Sequence, residues 1–453
     1  MNSKKPLSFR QLLPILTIVF VDSMGFTIVL PVVPFYALAF GAPPSAVGLL
    51  IMVYALAQFI FAPILGGLSD RYGRKTILTI AQIGTFGSLL LMGFAWALPV
   101  LFIARLLDGI TGANMSTVQS AISDMSTKED RTRGLGLVGA ASGLGFVIGP
   151  VVGGLALRLA NNNYAAPAFV GASFALLSIL LTVFLFKETL PKSDRSRPKQ
   201  RTRILTSLVQ GLRSPELGPL YLFVFAAQFI FGMFTSVFSL FTLNRIGFNS
   251  VNNAIFFGAF GVMLMLMQGI FVGRWVKRFG EYRVLVLSFV MASIGFGIAA
   301  FTPQQAVPWY SESAMMAELT QFGSASIDLS LLPSEAGAGW FGFLIILIGL
   351  LPGPLGFTLQ LPTINTLITK RTDPTEVGQA LGMSASFVGA GTVAGPLLGG
   401  WLFEAIAPGA PFAISSILSV GILAVLMIFH RRDSAAEKNN HTVAVTQPVS
   451  SRP

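Results

Sequence analysis

The chain has 453 residues, of which 53% are hydrophobic and 11% are charged, and its mean hydropathy is +0.73. Soluble domains carry about a quarter charged residues, so this composition excludes an ordinary soluble protein and predicts an integral membrane protein. The chain has no cysteine, and its two histidines are His430 and His441. Thiolate metal sites and cysteine nucleophiles are therefore excluded, and no phosphate-binding loop or nucleophile–base pair is present. We predict neither an enzyme nor a metal or organic cofactor.

Apolar stretches long enough to cross a bilayer, about 20 residues each, recur along the whole chain. They predict an all-α membrane protein with twelve transmembrane helices. The predicted spans are 12–36, 46–68, 76–96, 99–121, 134–157, 166–186, 219–241, 253–274, 284–301, 339–368, 377–402 and 409–429.

The basic residues predict the orientation of these spans. Of the 30 Lys and Arg residues, all except Arg105, Arg158 and Arg245 lie in the two tails or in the loops that follow even-numbered spans. Cytoplasmic loops retain Lys and Arg, so we expect a multi-pass protein of the plasma (inner) membrane with both termini in the cytoplasm. The net charge of +11 then reflects topology and contact with the lipid bilayer, and we expect no nucleic-acid partner.

The loops divide the chain into two halves. A basic, proline-containing stretch predicts a cytoplasmic linker at 187–218, between a six-helix half at 1–186 and a second at 219–430. Within the second half, the polar residues 302–338 predict a long external loop that is either disordered or carries a short amphipathic helix. Residues 431–453 predict a disordered cytoplasmic tail.

A short motif recurs in the two halves: GPVVGG at 149–154 and GPLLGG at 395–400. A weaker echo links GGLSDRYGRKTIL, from Gly66, with GRWVKRFGEYRVL, from Gly273. The recurrence predicts two pseudo-symmetric halves with a substrate site near the midplane between them. Small residues permit close helix packing and proline bends a helix, so the motif also predicts matched hinges or sliding surfaces between the halves. The hinge residues are Gly145, Gly149, Pro150, Gly153, Gly154, Gly395 and Pro396.

The loop between the second and third spans combines glycines, one acid and three bases. Glycines allow a tight bend, and opposed charges at helix ends can form a gate that closes and reopens. The predicted cytoplasmic gate comprises Gly66, Asp70, Arg71, Gly73, Arg74 and Lys75.

Three ionisable residues lie within predicted spans. Asp22 lies about 15 Å into the first span, near the midplane, and Arg105 and Asp108 share one face of the fourth span. Charges within a membrane are costly and usually functional, so we predict that Asp22 and Asp108 bind protons or substrate. The alternative is that Arg105 and Asp108 only neutralise each other. Predicted cavity-lining residues are Gln58, Asn114, Gln119, Gln228, Phe229, Gln268 and Gln360.

These motifs together resemble the major facilitator superfamily, in its drug/proton antiporter branch, over residues 10–430. Gly66 to Leu78 is similar to the family's signature loop, LFIARLLDGITGAN to its fourth-helix motif, and GLGFVIGPVVGG to its antiporter motif. VDSMGFTIVLPVVP resembles the first helix of the tetracycline/proton antiporters.

The resemblance implies specific contacts. Asp70 is expected near Gly378 at the start of the eleventh span and Arg74 is expected to pair with Asp124, both in the outward-facing state. It also implies a proton-coupling role for Arg105 and a monomeric protein. Three features depart from the family. Asp108 stands where the family usually has a glutamine. Lys277 occupies the acid's position in the second signature loop, and the third, eighth and ninth spans lack the interior acids and histidine of the tetracycline exporters, so tetracycline is not expected as a substrate.

The sequence therefore predicts a proton-coupled secondary transporter that exports small hydrophobic or amphipathic compounds by alternating access, as in drug efflux and antibiotic resistance. One alternative is a transporter of a polar metabolite such as a sugar or amino acid. The other is a membrane receptor or scaffold that does not transport.

Overall fold

The structure is a computed structural model that describes residues 9–112, 114–126, 128–191, 195, 204–322, 329–373 and 376–446. These residues form helices and connecting turns, with no strand among them. Eleven helical segments are long and apolar enough to cross a membrane, and the shorter apolar helix Leu12–Thr27 supplies a twelfth. The prediction of an all-α protein with twelve spans is confirmed.

The first six spans are built from eight helices, because the first and fourth spans are each interrupted. These helices are α1 (Phe9–Thr27), α2 (Val33–Ala39), α3 (Pro44–Tyr72), α4 (Arg74–Gly93), α5 (Leu98–Thr111), α6 (Asn114–Met125), α7 (Lys128–Leu159) and α8 (Ala165–Phe184).

The described residues from the linker onward form ten further α-helices, and a π-helical turn at Met267–Val272 joins two of them. They are α9 (Ile204–Leu212), α10 (Gly218–Ile246), α11 (Ser250–Leu266), α12 (Gly273–Phe279), α13 (Glu281–Ala300), α14 (Glu312–Leu319), α15 (Phe341–Leu350), α16 (Pro352–Lys370), α17 (Val377–Ala405) and α18 (Ala410–Thr446).

The first and fourth spans are each made of two helices. Helix α1 stops at Thr27 because Pro31 has no N–H to donate and its ring clashes with the carbonyl four residues earlier. The fourth span divides at Gly112, between α5 and α6, where glycine has low helix propensity.

The end of the chain differs from the prediction. Disorder was expected from residue 431, but α18 continues to Thr446. The stretch DSAAEKNNH contains good helix formers and no proline before Pro448, so nothing in it stops the helix. Residues 192–194 and 196–203 of the linker, 323–328 of the predicted external loop, and 447–453 lie outside the described residues.

Packing repeats between the two halves. Helix α1 packs on α7 as α10 packs on α17, and α4 packs on α8 as α13 packs on α18. The halves meet where α3 packs on α17 and α7 packs on α11. This is the arrangement of a parallel repeat, in which a site between the halves receives side chains from both.

The two ends of the bundle differ. We call the end that carries the α3–α4 turn, the linker and the α16–α17 turn the basic face, and the other end the opposite face. The halves touch closely at the opposite face, where a Cβ on Gly48 would lie 2.4 Å from the carbonyl oxygen of Pro396. Nearby, the Ser45 N–H donates to Glu404 Oε2 at 2.9 Å.

Candidate functional site

A cavity of ≈ 670 Å³ lies between the two halves. Helix α3 lines it from Ala55, near the middle of the helix, to Asp70 at the basic face. Helices α6 and α17 form the other walls, so both halves contribute. The lining residues are Ala55, Gln58, Phe59, Ala62, Pro63, Gly66, Gly67, Asp70, Gly112, Met115, Ser116, Gln119, Ser120, Gly382, Ala385, Ser386, Val388, Gly389 and Thr392.

A cluster of charged and polar side chains lies beside the inner end of this cavity. Asn114 Nδ2 donates to Asp22 Oδ2 at 2.7 Å. Arg105 Nη2 is 3.1 Å from Asp108 Oδ2, and both residues are 4% exposed. The Arg105 guanidinium also lies 5.5 Å from the ring centroid of Tyr54, a cation–π distance. The three predicted ionisable residues therefore lie near one another, on the first and fourth spans.

The interruption of the fourth span explains how the cluster connects to the cavity. Gly112 lies between α5 and α6, and its carbonyl accepts a hydrogen bond from Gln58 Nε2 at 2.9 Å. The same nitrogen lies 3.1 Å from Tyr54 Oη. Gln58 and Gly112 line the cavity, so a ligand at its inner end would lie next to the charged cluster. Non-helical backbone at membrane depth is tolerated where it lines a cavity, as Gly112 does.

Two buried polar atoms of the cluster have no hydrogen-bond partner in the described part of the chain, Arg105 Nε and Asn114 Oδ1. One is a donor and the other an acceptor, so the cluster can bind a further polar group of either kind. Among the described residues no group of three or more His, Cys, Asp or Glu is arranged to hold a metal ion.

The other predicted cavity residues divide between the wall and sites elsewhere. Gln58 and Gln119 line the cavity, and Asn114 belongs to the cluster. Phe229 stacks on Phe225 at 5.9 Å on α10. The remaining three are outside the cavity wall: Gln228 and Gln360 are buried, and Gln268 is exposed on the π-helical turn.

Sequence reasoning missed Tyr54. It is the tyrosine of the second span, one helical turn before Gln58, and this i,i+4 spacing places both polar groups on one face. That spacing was the signal available in the sequence.

The predicted gate residues form an ion-pair network at the basic face, centred on Arg74. Its Nη1 lies 2.6 Å from Asp70 Oδ1, its Nε lies 2.9 Å from Asp124 Oδ2, and Nη1 donates to Ser69 Oγ at 2.6 Å. The ion pair that the resemblance implied between Arg74 and Asp124 is therefore present in this conformation, whereas it was expected in the outward-facing state. Arg74 is 6% exposed, so its charge depends on these carboxylates for compensation.

The remaining gate residues surround the start of α4. Gly73 has a φ of +98°, a backbone conformation that favours glycine. Lys75 Nζ donates to the carbonyl of Val183 at 2.7 Å, and the Arg71 guanidinium lies over the Tyr72 ring. Gly66 lines the cavity.

Glu188 completes this network and was not predicted. Its Oε1 accepts from the backbone N–H of Arg74 at 2.9 Å, and its Oε2 accepts from that of Lys75 at 3.3 Å. A carboxylate at a helix N-terminus satisfies free N–H groups and interacts favourably with the helix dipole. The linker thus fixes the start of α4.

The contact of Asp70 with Gly378, expected in the outward-facing state, is not formed among the described residues of this conformation and stays a prediction. Asp70 pairs with Arg74, and a Cβ on Gly378 would have nothing within 4 Å. The cavity separates the α3–α4 turn from this end of α17, since Asp70 and Gly382 both line it. The structure is therefore open at the basic face and closed at the opposite face, whereas the expected contact belongs to the reverse state.

The predicted hinge glycines are positions of close helix approach. On α7, a Cβ on Gly145 or Gly153 would lie 2.7 Å from Phe20 O or 2.3 Å from Ile28 O of the first span. A Cβ on Gly149 would lie 2.1 Å from Thr27 Oγ1.

The second copy of the motif packs in the same way. A Cβ on Gly395 of α17 would lie 2.3 Å from Phe229 O of α10. The last glycine of each copy faces the other half: Gly154 approaches Ala254 of α11, and Gly400 approaches Gly48 of α3. Pro150 and Pro396 lie inside their helices, and bending at them stays a prediction.

Comparisons with known proteins agree with this architecture. The family model of the Major Facilitator Superfamily matches residues 15–351 and 325–452. The chain is 29% identical to the class B tetracycline resistance protein of Escherichia coli, over 84% of this chain and 86% of that protein. It is 28% identical to multidrug resistance protein 1 of Bacillus subtilis (strain 168), over 90% of this chain and 93% of that protein. Among solved structures, the nucleoside transporter NupG matches with a TM-score of 0.67 at 14% identity, over 92% of this chain and 98% of that one. This last likeness shows the fold alone.

Proposed function

The chain belongs to the Major Facilitator Superfamily, and from this premise we propose that it exports small hydrophobic or amphipathic compounds in exchange for protons, by alternating access. Relatives named for tetracycline and multidrug resistance, aligned over most of their length, support export as the direction. The cavity between the halves supports a small molecule as the substrate. Because both walls of the cavity come from one chain, we propose a monomer as the working unit.

We assign the basic face to the cytoplasm, since cytoplasmic loops retain Lys and Arg. With this orientation the cavity opens to the cytoplasm and the opposite face is external. Both termini are then cytoplasmic, and the conformation is the one that loads a substrate for export.

The observation that carries the proposal is the pairing within the charged cluster. Asp108 has a counter-ion in Arg105, whereas Asp22 accepts a hydrogen bond from a neutral amide and forms no ion pair within the described residues. Asp22 can therefore gain or lose a proton without breaking an ion pair. An unpaired charge at this depth is costly, so its protonation state should respond to what the adjacent cavity contains.

A transport cycle follows from this arrangement. With the cavity open to the cytoplasm, binding of a cationic or amphipathic substrate favours the charged form of Asp22, which releases its proton. The substrate leaves after the halves rock, and an external proton returns Asp22 to its neutral form. Coupling requires that the proton and the substrate bind the two conformations with different affinities.

The walls of the cavity favour a hydrophobic cation as substrate. Phe59, Met115 and Val388 offer apolar surface, while Gln58 and Gln119 offer hydrogen bonds. Such walls fit an amphipathic molecule better than a sugar, which needs a polar partner for each hydroxyl. We do not propose tetracycline, because the interiors of α4, α11 and α13 contain no ionisable residue.

Proton release on substrate binding tests the proposal directly. Ethidium, a hydrophobic cation, is added to purified protein in weakly buffered detergent solution, and the pH is followed. Wild type should acidify the solution, and Asp22→Asn should bind ethidium without acidification. Glu216→Gln, which removes an exposed carboxylate, is the matched control. Binding by wild type without proton release would overturn the coupling.

A further inference from the structure

Residues 312–322, which we call the bridging segment, join the two halves at the opposite face. The segment comprises α14 and the turn after it, and it belongs by sequence to the second half. Its Phe322 ring stacks on Tyr36 at 5.1 Å and lies 5.2 Å from Phe40, both of the first half. Gln321 Nε2 also donates to the carbonyl of Asn162 at 3.1 Å.

One carboxylate lies at the centre of this junction. Glu318 is 5% exposed. Its Oε1 accepts from Tyr164 Oη at 3.0 Å and from the Ser250 N–H at 3.2 Å, and it lies 2.5 Å from Ser250 Oγ. Its Oε2 lies 3.2 Å from Asn162 Nδ2. Asn162 and Tyr164 belong to the first half and Ser250 to the second, so the two halves cannot separate here without breaking one set of these bonds.

The partners of Glu318 accommodate either of its protonation states. A hydroxyl can donate or accept, and the Asn162 amide can turn its oxygen toward Oε2. The Ser250 N–H is the one obligate donor, and it faces Oε1. Glu318 can therefore be protonated on Oε2 without losing any of these hydrogen bonds. Protonation also removes a buried charge that has no ion-pair partner among the described residues.

We propose that Glu318 is a proton-binding residue of the opposite face, and that it takes up a proton as the bridging segment closes on the two halves. When the halves separate at this face, Glu318 returns to water and releases the proton. Uptake of an external proton would then help to close the external side once the substrate has left. The proposal rests on the alternating access proposed above.

The direction of the pH effect follows from the closed structure. Burial raises the pKa of Glu318 above its ordinary value, and the hydrogen bonds from Ser250 and Tyr164 only partly oppose this. In the open state the carboxyl is solvated and has its ordinary pKa. Between the two pKa values the closed state binds the proton and the open state does not. Acid therefore favours closure, and closure is lost as the pH rises through the raised pKa.

Other titratable groups around Glu318 do not reverse this direction. Burial and the neighbouring Glu318 hold the pKa of Tyr164 well above its ordinary value, so Tyr164 remains a neutral hydroxyl. No basic group of the described residues lies within ion-pair distance of Glu318. The titratable and charged residues on and beside the surrounding elements include Tyr36, Arg158, Tyr164, Arg245, Tyr310, Glu312 and Glu335.

Spin-label distances across the opposite face test the proposal. The chain has no cysteine, so Trp96→Cys and Phe301→Cys, at exposed positions of the two halves, take the only labels. Distances are measured by double electron–electron resonance in Glu318 and Glu318→Gln proteins at about pH 5 and about pH 8. The closed-to-open ratio of the Glu318 protein should fall with pH, by up to about tenfold per unit of pKa difference. Glu312→Gln, on an exposed carboxylate of the same helix, is the matched control.

The glutamine variant imitates the protonated carboxyl, so it should match the Glu318 protein at low pH and be more closed at high pH. A variant that is more open at high pH, or that equals the Glu318 protein at every pH, would overturn the proposal. Difference infrared spectroscopy keeps the test independent of labelling: a protonated-carboxyl band present in the Glu318 protein should be absent from the variant, and its persistence would contradict the assignment. Loss of ethidium-linked proton release with a normal distance response would instead count against the proposed function alone.

Discussion

A methyl group added at Gly48 should open the opposite face. The Cβ of Gly48→Ala would lie 2.4 Å from Pro396 O and 3.0 Å from Gly400 Cα. Both are backbone atoms of α17, so no side-chain rotation can relieve the overlap. Overpacking of this kind costs about 1–3 kcal/mol, and here the cost falls only on the conformation in which α3 and α17 touch. The ratio of closed to open opposite face should fall about 5- to 150-fold.

The label pair at positions 96 and 301 measures this ratio, and the expected result is a shift toward the longer distance. Gly87→Ala is the matched control: it adds the same methyl group to a membrane-spanning helix of the same half, at a position with nothing within 4 Å. If Gly48→Ala and Gly87→Ala gave the same distance distribution, the contact between α3 and α17 would not control the opposite face.

Three further predictions concern the gate, the cluster and the bridging segment. Arg74→Ala should lower the free energy of unfolding by about 2 kcal/mol. This is less than the roughly 3–5 kcal/mol expected for breaking a fully buried ion pair, because Asp124 is partly exposed. Thermal unfolding measures the loss, and Arg74→Lys should recover part of it. Asn114→Ala removes the hydrogen bond to Asp22 and should slow ethidium export about tenfold; export at the wild-type rate would count against the cluster. Phe322→Ala removes its ring contacts and should raise the open fraction of the opposite face at every pH; an unchanged spin-label distance would contradict a bridging role.

The spans could be predicted because the length of an apolar stretch is a direct measure of bilayer thickness. The interruptions of the spans were harder to predict. Whether Pro31 or Gly112 interrupts a helix depends on which hydrogen-bond partners are available to the backbone groups that the interruption leaves unpaired. At Gly112 the partner is Gln58, a contact across 54 residues of sequence that no local pattern indicates.

Contacts of the gate that form within one half could be predicted from the sequence, whereas contacts between the halves depend on the conformation of the protein. The ion pair of Arg74 with Asp124 forms within one half, and the resemblance to the family was enough to expect it. The contact of Asp70 with Gly378 crosses the two halves and was expected in the reverse state, so this conformation leaves it a prediction. No sequence pattern indicated a role for Glu318. Its partners Asn162 and Ser250 are 156 and 68 residues away in sequence, and it lies in a polar loop.

The most direct test of proton-coupled export is ethidium uptake into inside-out membrane vesicles with an imposed proton gradient, compared between wild type, Asp22→Asn and Glu216→Gln. Wild type and Glu216→Gln should accumulate ethidium and lose it when the gradient is collapsed, while Asp22→Asn should accumulate none at equal protein content in the membrane. Gradient-driven uptake by Asp22→Asn at the wild-type level would contradict the assignment of Asp22 as the coupling residue.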